Sequence, residues 1–106
     1  IVTEETIAQN PELVQQLADA HIAATEYENE NPDAWLDLAA SFGTDRDLLE
    51  FSADNIELCW DIDEQYIQNC ENLAEQMVEL GMIDHVPDIE AMFDLSFLEN
   101  AKAEME

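Results

Sequence analysis

Apolar residues recur at helical spacing along most of the chain. From Pro11 to Glu28 they follow the i, i+3, i+4, i+7 pattern of an amphipathic helix, and Asn10-Pro11 supplies an N-cap followed by a proline at the first helical position. We therefore expect a helix over Pro11 to Glu28. The stripe predicted to face the core comprises Leu13, Leu17, Ala20, Ala24 and Tyr27, with Val14, His21 and Thr25 beside it.

A second Asn-Pro pair, Asn31-Pro32, repeats this start signal, and Gly43 stands where a glycine that ends a helix belongs. The apolar face of this second helix is predicted to comprise Trp35, Leu38, Ala39 and Phe42. Thr44 and Asp47 then have the spacing of a capping box, with Asp in place of Glu. They predict a short helix that carries Leu48, Leu49 and Phe51.

The period changes to two between Ile56 and Ile62, which predicts an extended segment with one apolar face. Asp61 or Asp63 then caps a helix that ends at Gly81, with a predicted core stripe of Tyr66, Cys70, Leu73, Met77 and Leu80. Two short helical stretches follow, over 88–93 and 96–105. We expect an all-α fold of five or six helices with residues 56–62 extended. Residues 1–106 form a single helical domain or a fragment of a larger protein.

The charge excludes several classes of partner. The chain has 27 Asp and Glu residues against Arg46 and Lys102, for a net charge of -25. Nucleic acid is excluded as a partner because phosphate binding needs clustered cations, and an anionic membrane surface is disfavoured for the same reason. With 47% hydrophobic residues the chain is not a disordered acidic tail. The acids predict a solvated surface that keeps the protein soluble.

The reactive residues have no spacing typical of a catalytic or metal site. His21, Cys59, Cys70 and His85 include no pair two to five residues apart, as zinc sites usually require. The sequence also lacks a Gly-rich phosphate loop, a nucleophile elbow and a CxxC motif. We therefore expect no enzyme activity, no catalytic residue, no metal and no cofactor. A buried free thiol at Cys70 and a Cys59–Cys70 disulfide both stay open.

Several ordered motifs carry a family resemblance. The stretch with Asn10-Pro11-Glu12, Ala20-His21 and Asn31-Pro32 is followed by NIELCWDIDEQYIQ and then by AEQMVELGMIDHVPDIEAMFDLSFLENA. This order resembles the C-terminal helical segment of the substrate-binding proteins of ABC importers. The resemblance is to the nitrate/sulfonate/taurine-type family, which includes binders of thiamine pyrimidine precursors.

The resemblance implies a C-terminal piece of a two-lobed α/β periplasmic-binding-protein fold that captures a small-molecule ligand for an ABC transporter. It implies an extracytoplasmic location, periplasmic or lipid-anchored, and as partners the N-terminal lobes and a membrane permease. The family's ligand contacts come from preceding strand-end loops, so no ligand-binding residue is assigned here. Two other classes stay open: an independent acidic helical protein-protein interaction module, and a small enzyme or metal carrier.

If the chain is a segment of a two-lobed protein, part of its apolar surface is left uncovered, and a two-fold homodimer would cover it. The residues expected to pair are Ile56, Leu58, Trp60, Phe93 and Phe97. Because two copies of charge -25 repel each other and salt screens that repulsion, the dimer should strengthen with ionic strength. Sedimentation velocity across a salt series should show a growing dimer fraction. A monomer at every salt and at high protein concentration would contradict this expectation.

Overall fold

The fold is all-α. A computed structural model describes residues 1–105, and within them it has six α-helices and no strand, which confirms the predicted class and number of helices. The helices are α1 (Glu4–Gln9), α2 (Pro11–Glu30), α3 (Pro32–Ser41), α4 (Arg46–Ser52), α5 (Glu64–Glu79) and α6 (Ser96–Met105), with single 3-10 turns at Ala53–Asn55 and Glu90–Met92. The chain divides into two compact units, Ile1–Trp60 and a second that begins at Asp61.

Local signals set the start of each helix in the first unit. α2 and α3 begin at the two prolines, as predicted, although neither preceding asparagine caps with its side chain. The Asn31 side chain instead donates to the Tyr27 carbonyl at 2.8 Å and so closes the end of α2. α1 was not predicted. It begins where the Thr3 hydroxyl accepts a hydrogen bond from the Thr6 N–H at 3.1 Å.

Aspartate caps begin α4 and α5. The expected capping box at Thr44 is wrong by one residue, because the Asp45 carboxylate accepts from the Asp47 N–H at 2.9 Å and α4 starts after it. Of the two candidates for α5, Asp63 is the cap and accepts from the Tyr66 N–H at 2.8 Å. Both helices therefore begin with a carboxylate bonded to a free backbone N–H, where the helix macrodipole favours negative charge.

Glycines end α3 and α5. Gly43 and Gly81 have φ of 113° and 74°, and no other described residue has left-handed backbone. At the second position the Gly81 N–H donates to the Val78 carbonyl at 3.0 Å, and the Met82 N–H donates to the Met77 carbonyl at 2.8 Å. These two bonds form a Schellman motif, which satisfies the last carbonyls of α5.

The first unit buries a different face of α2 from the one predicted. Val14, Ile22 and Thr25 are buried, whereas Leu13 and Leu17, which were expected in the core, are exposed. The sequence of α2 contains two apolar stripes, and periodicity alone does not decide which one packs. His21, expected at the edge of the core, is exposed.

The same correction applies to α3. Leu36 is buried and Trp35 is half-buried, but Leu38 and Phe42 of the predicted stripe are exposed. Leu36 lies one position after Trp35, so the packed face is turned by about 100° from one centred on Trp35. The predicted helix is therefore correct and its predicted orientation is wrong.

Arg46 joins α3 to α4. Its guanidinium contacts Asp33 at 3.1 Å, Asp37 at 2.8 Å and Glu50 at 3.2 Å. Asp33 and Asp37 lie one turn apart on α3, while Glu50 lies one turn after Arg46 on α4. A planar guanidinium can serve several carboxylates at once through its fixed fork of donors, so one side chain neutralises part of the repulsion between the two helices.

The second unit has a small core of Ala74, Ile89, Leu98 and Ala101. The rings of Tyr66 and Phe93 pack edge to face with centroids 6.2 Å apart. The buried position of α5 is again not on the predicted stripe, of which Tyr66, Leu73 and Leu80 are exposed. The stretch expected to be helical over 88–93 forms only one 3-10 turn, since Phe93 has extended backbone with φ −105° and ψ 116°.

Residues 56–62 lie outside any helix or strand. Ile56 has extended backbone with φ −119° and ψ 122°. Leu58, Trp60 and Ile62 are half-buried while the residues between them are exposed, so exposure follows the period of two in the sequence. Of the five residues expected to form the dimer patch, only Ile56 is exposed. The other four are half-buried: Leu58, Trp60, Phe93 and Phe97.

Gly81 provides a direct test of the Schellman motif. We expect Gly81→Ala to lower the free energy of unfolding by about 1–2 kcal/mol, because a Cβ is strained in left-handed backbone. The cause is conformational only, since a Cβ at this position would meet no atom within 4 Å. Gly81→Asn, the matched control, should cost less because Asn tolerates this region. Urea unfolding followed by circular dichroism measures both, and an Ala variant as stable as the parent would contradict the prediction.

Candidate functional site

The candidate metal ligands are dispersed. His21, Cys59 and His85 are exposed, Cys70 is half-buried, and both cysteines are free thiols. Among residues 1–105 no group of three or more His, Cys, Asp or Glu side chains could hold a metal ion. The expectation that the protein holds no tightly bound metal stays a prediction, which metal analysis after dialysis against a chelator would test.

Two open depressions mark the surface. One, of about 440 Å³, is lined by residues 9–13 and Gln16 at the junction of α1 and α2. The other, of about 370 Å³, is lined by Ile83, Asp84, His85 and Pro87. The first is lined entirely by exposed residues, and the second by exposed and half-buried ones. In the part of the chain described, no buried side-chain polar atom lacks a hydrogen-bond partner. Neither depression is therefore lined by a buried residue or by an unpaired buried polar side chain.

Both cations of the chain are paired with carboxylates. The hydrogen bond to Asp37, followed by the charges of its acidic neighbours, raises the pKa of the Arg46 guanidinium. The hydrogen bond to Asp61, 2.7 Å away, likewise raises the pKa of the Lys102 ammonium. Both side chains stay cationic at neutral pH, and both are engaged within their own unit. The remaining carboxylates therefore dominate the surface potential.

The first unit has an exposed apolar stripe on α2, here called the outer face. It is the stripe that helical periodicity predicts to face the core. Leu13 is 48% exposed, Leu17 is 53% exposed and Tyr27 is 59% exposed, and Ala20 and Ala24 between them are also exposed. The outer face lies roughly a third of a turn around the helix from the buried residues Val14 and Ile22.

The spacing along the outer face is regular. Its members are four, three, four and three residues apart, which is the alternation of the a and d positions in a heptad repeat. Glu28 and Glu30 lie one and three residues after Tyr27, at the e and g positions that border such a seam, and the last turn of α2 contains no basic residue. One end of the face is therefore negative both from side chains and from the helix macrodipole.

Comparisons with known proteins identify no relative: no protein-family model, no curated protein and no solved structure matches the chain. Within the residues that the structure describes, no helix combines the length and apolar character required to cross a bilayer. The resemblance to solute-binding proteins stays a hypothesis. The outer face was present in the sequence as a periodic stripe, but its availability for binding could be recognised only once burial was known.

Asp94 is a carboxyl group whose pKa is lowered by its surroundings. It accepts hydrogen bonds from the hydroxyl and from the backbone N–H of Ser96 at the start of α6, and these bonds lower its pKa. A carboxyl whose pKa is lower folded than unfolded stabilises the fold above its ordinary pKa. That contribution is lost as the pH falls through the lowered value.

We therefore expect Ser96→Ala to raise the pKa of Asp94 part of the way to its ordinary value, because the backbone N–H remains as a donor. An NMR titration of the Asp94 side chain measures the change. Ser52→Ala is the control, since the Ser52 hydroxyl donates to the carbonyls of Leu48 and Leu49 instead. An unchanged Asp94 pKa in Ser96→Ala would show that the hydroxyl does not stabilise the carboxylate.

Proposed function

We propose that the chain is the C-terminal helical part of an extracytoplasmic solute-binding protein that captures a small molecule for an ABC transporter. The observation that carries the proposal is the amount of large apolar surface that the helices leave exposed. Phe42 is 83% exposed, Phe51 is 86% exposed and Leu80 is 75% exposed. In the proposed protein, preceding α/β lobes cover such residues.

Full burial of one large apolar side chain contributes about 1.5–3 kcal/mol, and the net stability of a whole domain is only about 5–15 kcal/mol. Phe42 is the C-cap residue of α3 and Phe51 lies within α4, so both side chains are carried by ordered helices. On this proposal a neighbouring lobe covers these exposed apolar side chains within each unit.

The resemblance to solute-binding proteins indicates what would cover this surface, namely the preceding α/β lobes. The order of Asn10-Pro11-Glu12, Ala20-His21 and Asn31-Pro32 falls on the start of α2, the middle of α2 and the start of α3. On this proposal the ligand is bound by loops of the preceding lobes, and a membrane permease receives it. The helices described here then brace those lobes, with no ligand contact assigned to them.

An independent acidic helical interaction module is the second candidate. The heptad spacing of the outer face of α2 favours it, because that spacing fits a single partner helix. The two candidates differ in what covers the apolar surface, which is another part of the same protein in the first and a separate protein in the second.

The nucleotide sequence that precedes Ile1 provides the first test. A secretory or lipoprotein signal followed by alternating strands and helices would support the solute-binding proposal. A start codon directly before Ile1 would contradict it. Neither outcome depends on knowing the transported ligand.

A stability comparison provides the second test. Phe42→Ser should hardly change the stability of the 106-residue chain, where the ring is in water. In the intact protein it should cost at least about 3–5 kcal/mol, the range for truncating a buried Phe to Ala, because the Ser hydroxyl is buried as well. Glu26→Ala, an exposed substitution on α2, is the control and should be neutral in both. Thermal or urea unfolding measures the difference, and equal small effects of Phe42→Ser in both proteins would contradict coverage by a lobe.

A further inference from the structure

α2 has two apolar faces, and the structure uses only one of them. Val14, Ile22 and Thr25 are buried. The far end of the helix is held by the Asn29 side chain, which donates to the Leu58 carbonyl at 3.0 Å. The outer face is thus displayed on a helix that is anchored from its other side. Such a preorganised surface binds without first having to be ordered.

The shape of the outer face fits a helix. Its residues span Leu13 to Tyr27, about 21 Å along the axis at 1.5 Å per residue. Leu17 and Tyr27 are large, whereas Ala20 and Ala24 between them are small and leave room for a partner backbone to approach. Apolar residues at alternating spacings of four and three present one continuous seam to a second helix crossing at a small angle.

The charge of the surroundings selects the chemistry of that helix. Glu28 and Glu30 flank the seam at its Tyr27 end, where the helix macrodipole is also negative. Arg46, the cation of this unit, is engaged by Asp33, Asp37 and Glu50 and is not free to oppose a basic partner. A second copy of the chain would bring its own charge of -25 to the same place, which disfavours self-pairing.

We propose that the outer face of α2 docks a basic amphipathic helix of a partner polypeptide. Apolar residues of that helix pack along Leu13, Leu17 and Tyr27, and its Lys or Arg residues lie against Glu28 and Glu30. The assignment rests on the second candidate, the interaction module, and adds the location of the docking face and the charge of the partner helix. It requires neither a solute nor a transporter.

The experiment uses a synthetic amphipathic peptide as the probe. It carries leucines at heptad spacing and lysines at the flanking positions, and its twin replaces every lysine by glutamate. Fluorescence anisotropy should show saturable binding of the lysine peptide, weakened by salt, and no binding of the glutamate twin. Absence of saturable binding by the lysine peptide at millimolar concentration would overturn the proposal.

Variants of the chain locate the site. Leu13→Ser with Leu17→Ser should weaken the lysine peptide by about tenfold or more, whereas Leu48→Ser, at an exposed position of α4, should not. Tyr27→Ser tests the other end of the seam if the double variant loses its helical circular dichroism. Equal affinity for the parent, the seam variants and the α4 control would show that the peptide binds by charge alone and would overturn the proposal.

Matched charge variants test whether Glu28 and Glu30 contribute to binding of the basic helix. Glu28→Gln with Glu30→Gln should reduce both affinity and salt dependence more than Glu4→Gln with Glu5→Gln, which removes the same charge from exposed positions of α1. Equal effects of the two pairs would remove the assigned role of Glu28 and Glu30. Sedimentation of the same samples reports self-association. A dimer that the seam variants abolish, together with no peptide binding, would assign the face to a second copy.

Discussion

The scarcity of positive charge constrains the whole molecule. With two cations for 27 acids, each unit has one cation, and each is placed where it holds neighbouring segments together. Arg46 gathers carboxylates from α3 and α4, and Lys102 on α6 reaches Asp61 ahead of α5. None of the first five helices has a basic residue in its last turn, so their ends depend on other devices, such as the Asn31 amide and the glycines Gly43 and Gly81.

The acids are arranged so that some of them stabilise the helices. Asp45 and Asp63 cap α4 and α5, and Asp94 accepts hydrogen bonds at the start of α6. Negative charge is favourable at a helix start and unfavourable at its end. The rest of the stability comes from packing through narrow helix faces, and two of the buried residues, Ala74 and Ala101, are alanines. Narrow packed faces explain why large apolar residues such as Phe51 remain outside.

Local chemistry was readable from the sequence, and packing was not. The Asn-Pro starts, Gly43 and Gly81 predicted helix ends because each acts through its own backbone within a few residues. The choice between Leu13 and Val14 as the buried side of α2 depends on what else lies nearby, and two stripes of equal periodicity leave it undecided. α1 was missed because six residues contain too few apolar positions for a period. The candidate site escapes prediction for the same reason as the core, because periodicity predicts that the outer face of α2 packs, whereas the structure buries the other face.

The positions of the two cations also determine where trypsin can cleave the chain. Trypsin cuts after Arg or Lys, so only the bonds after Arg46 and Lys102 are substrates, one in each unit. Each of these side chains is bound by carboxylates in the folded state and must leave them to enter the protease. Cleavage after Arg46 therefore reports local opening in the first unit, and cleavage after Lys102 reports local opening in the second. The rates of these two cleavages therefore report local unfolding near Arg46 and near Lys102 separately, and no added probe is needed.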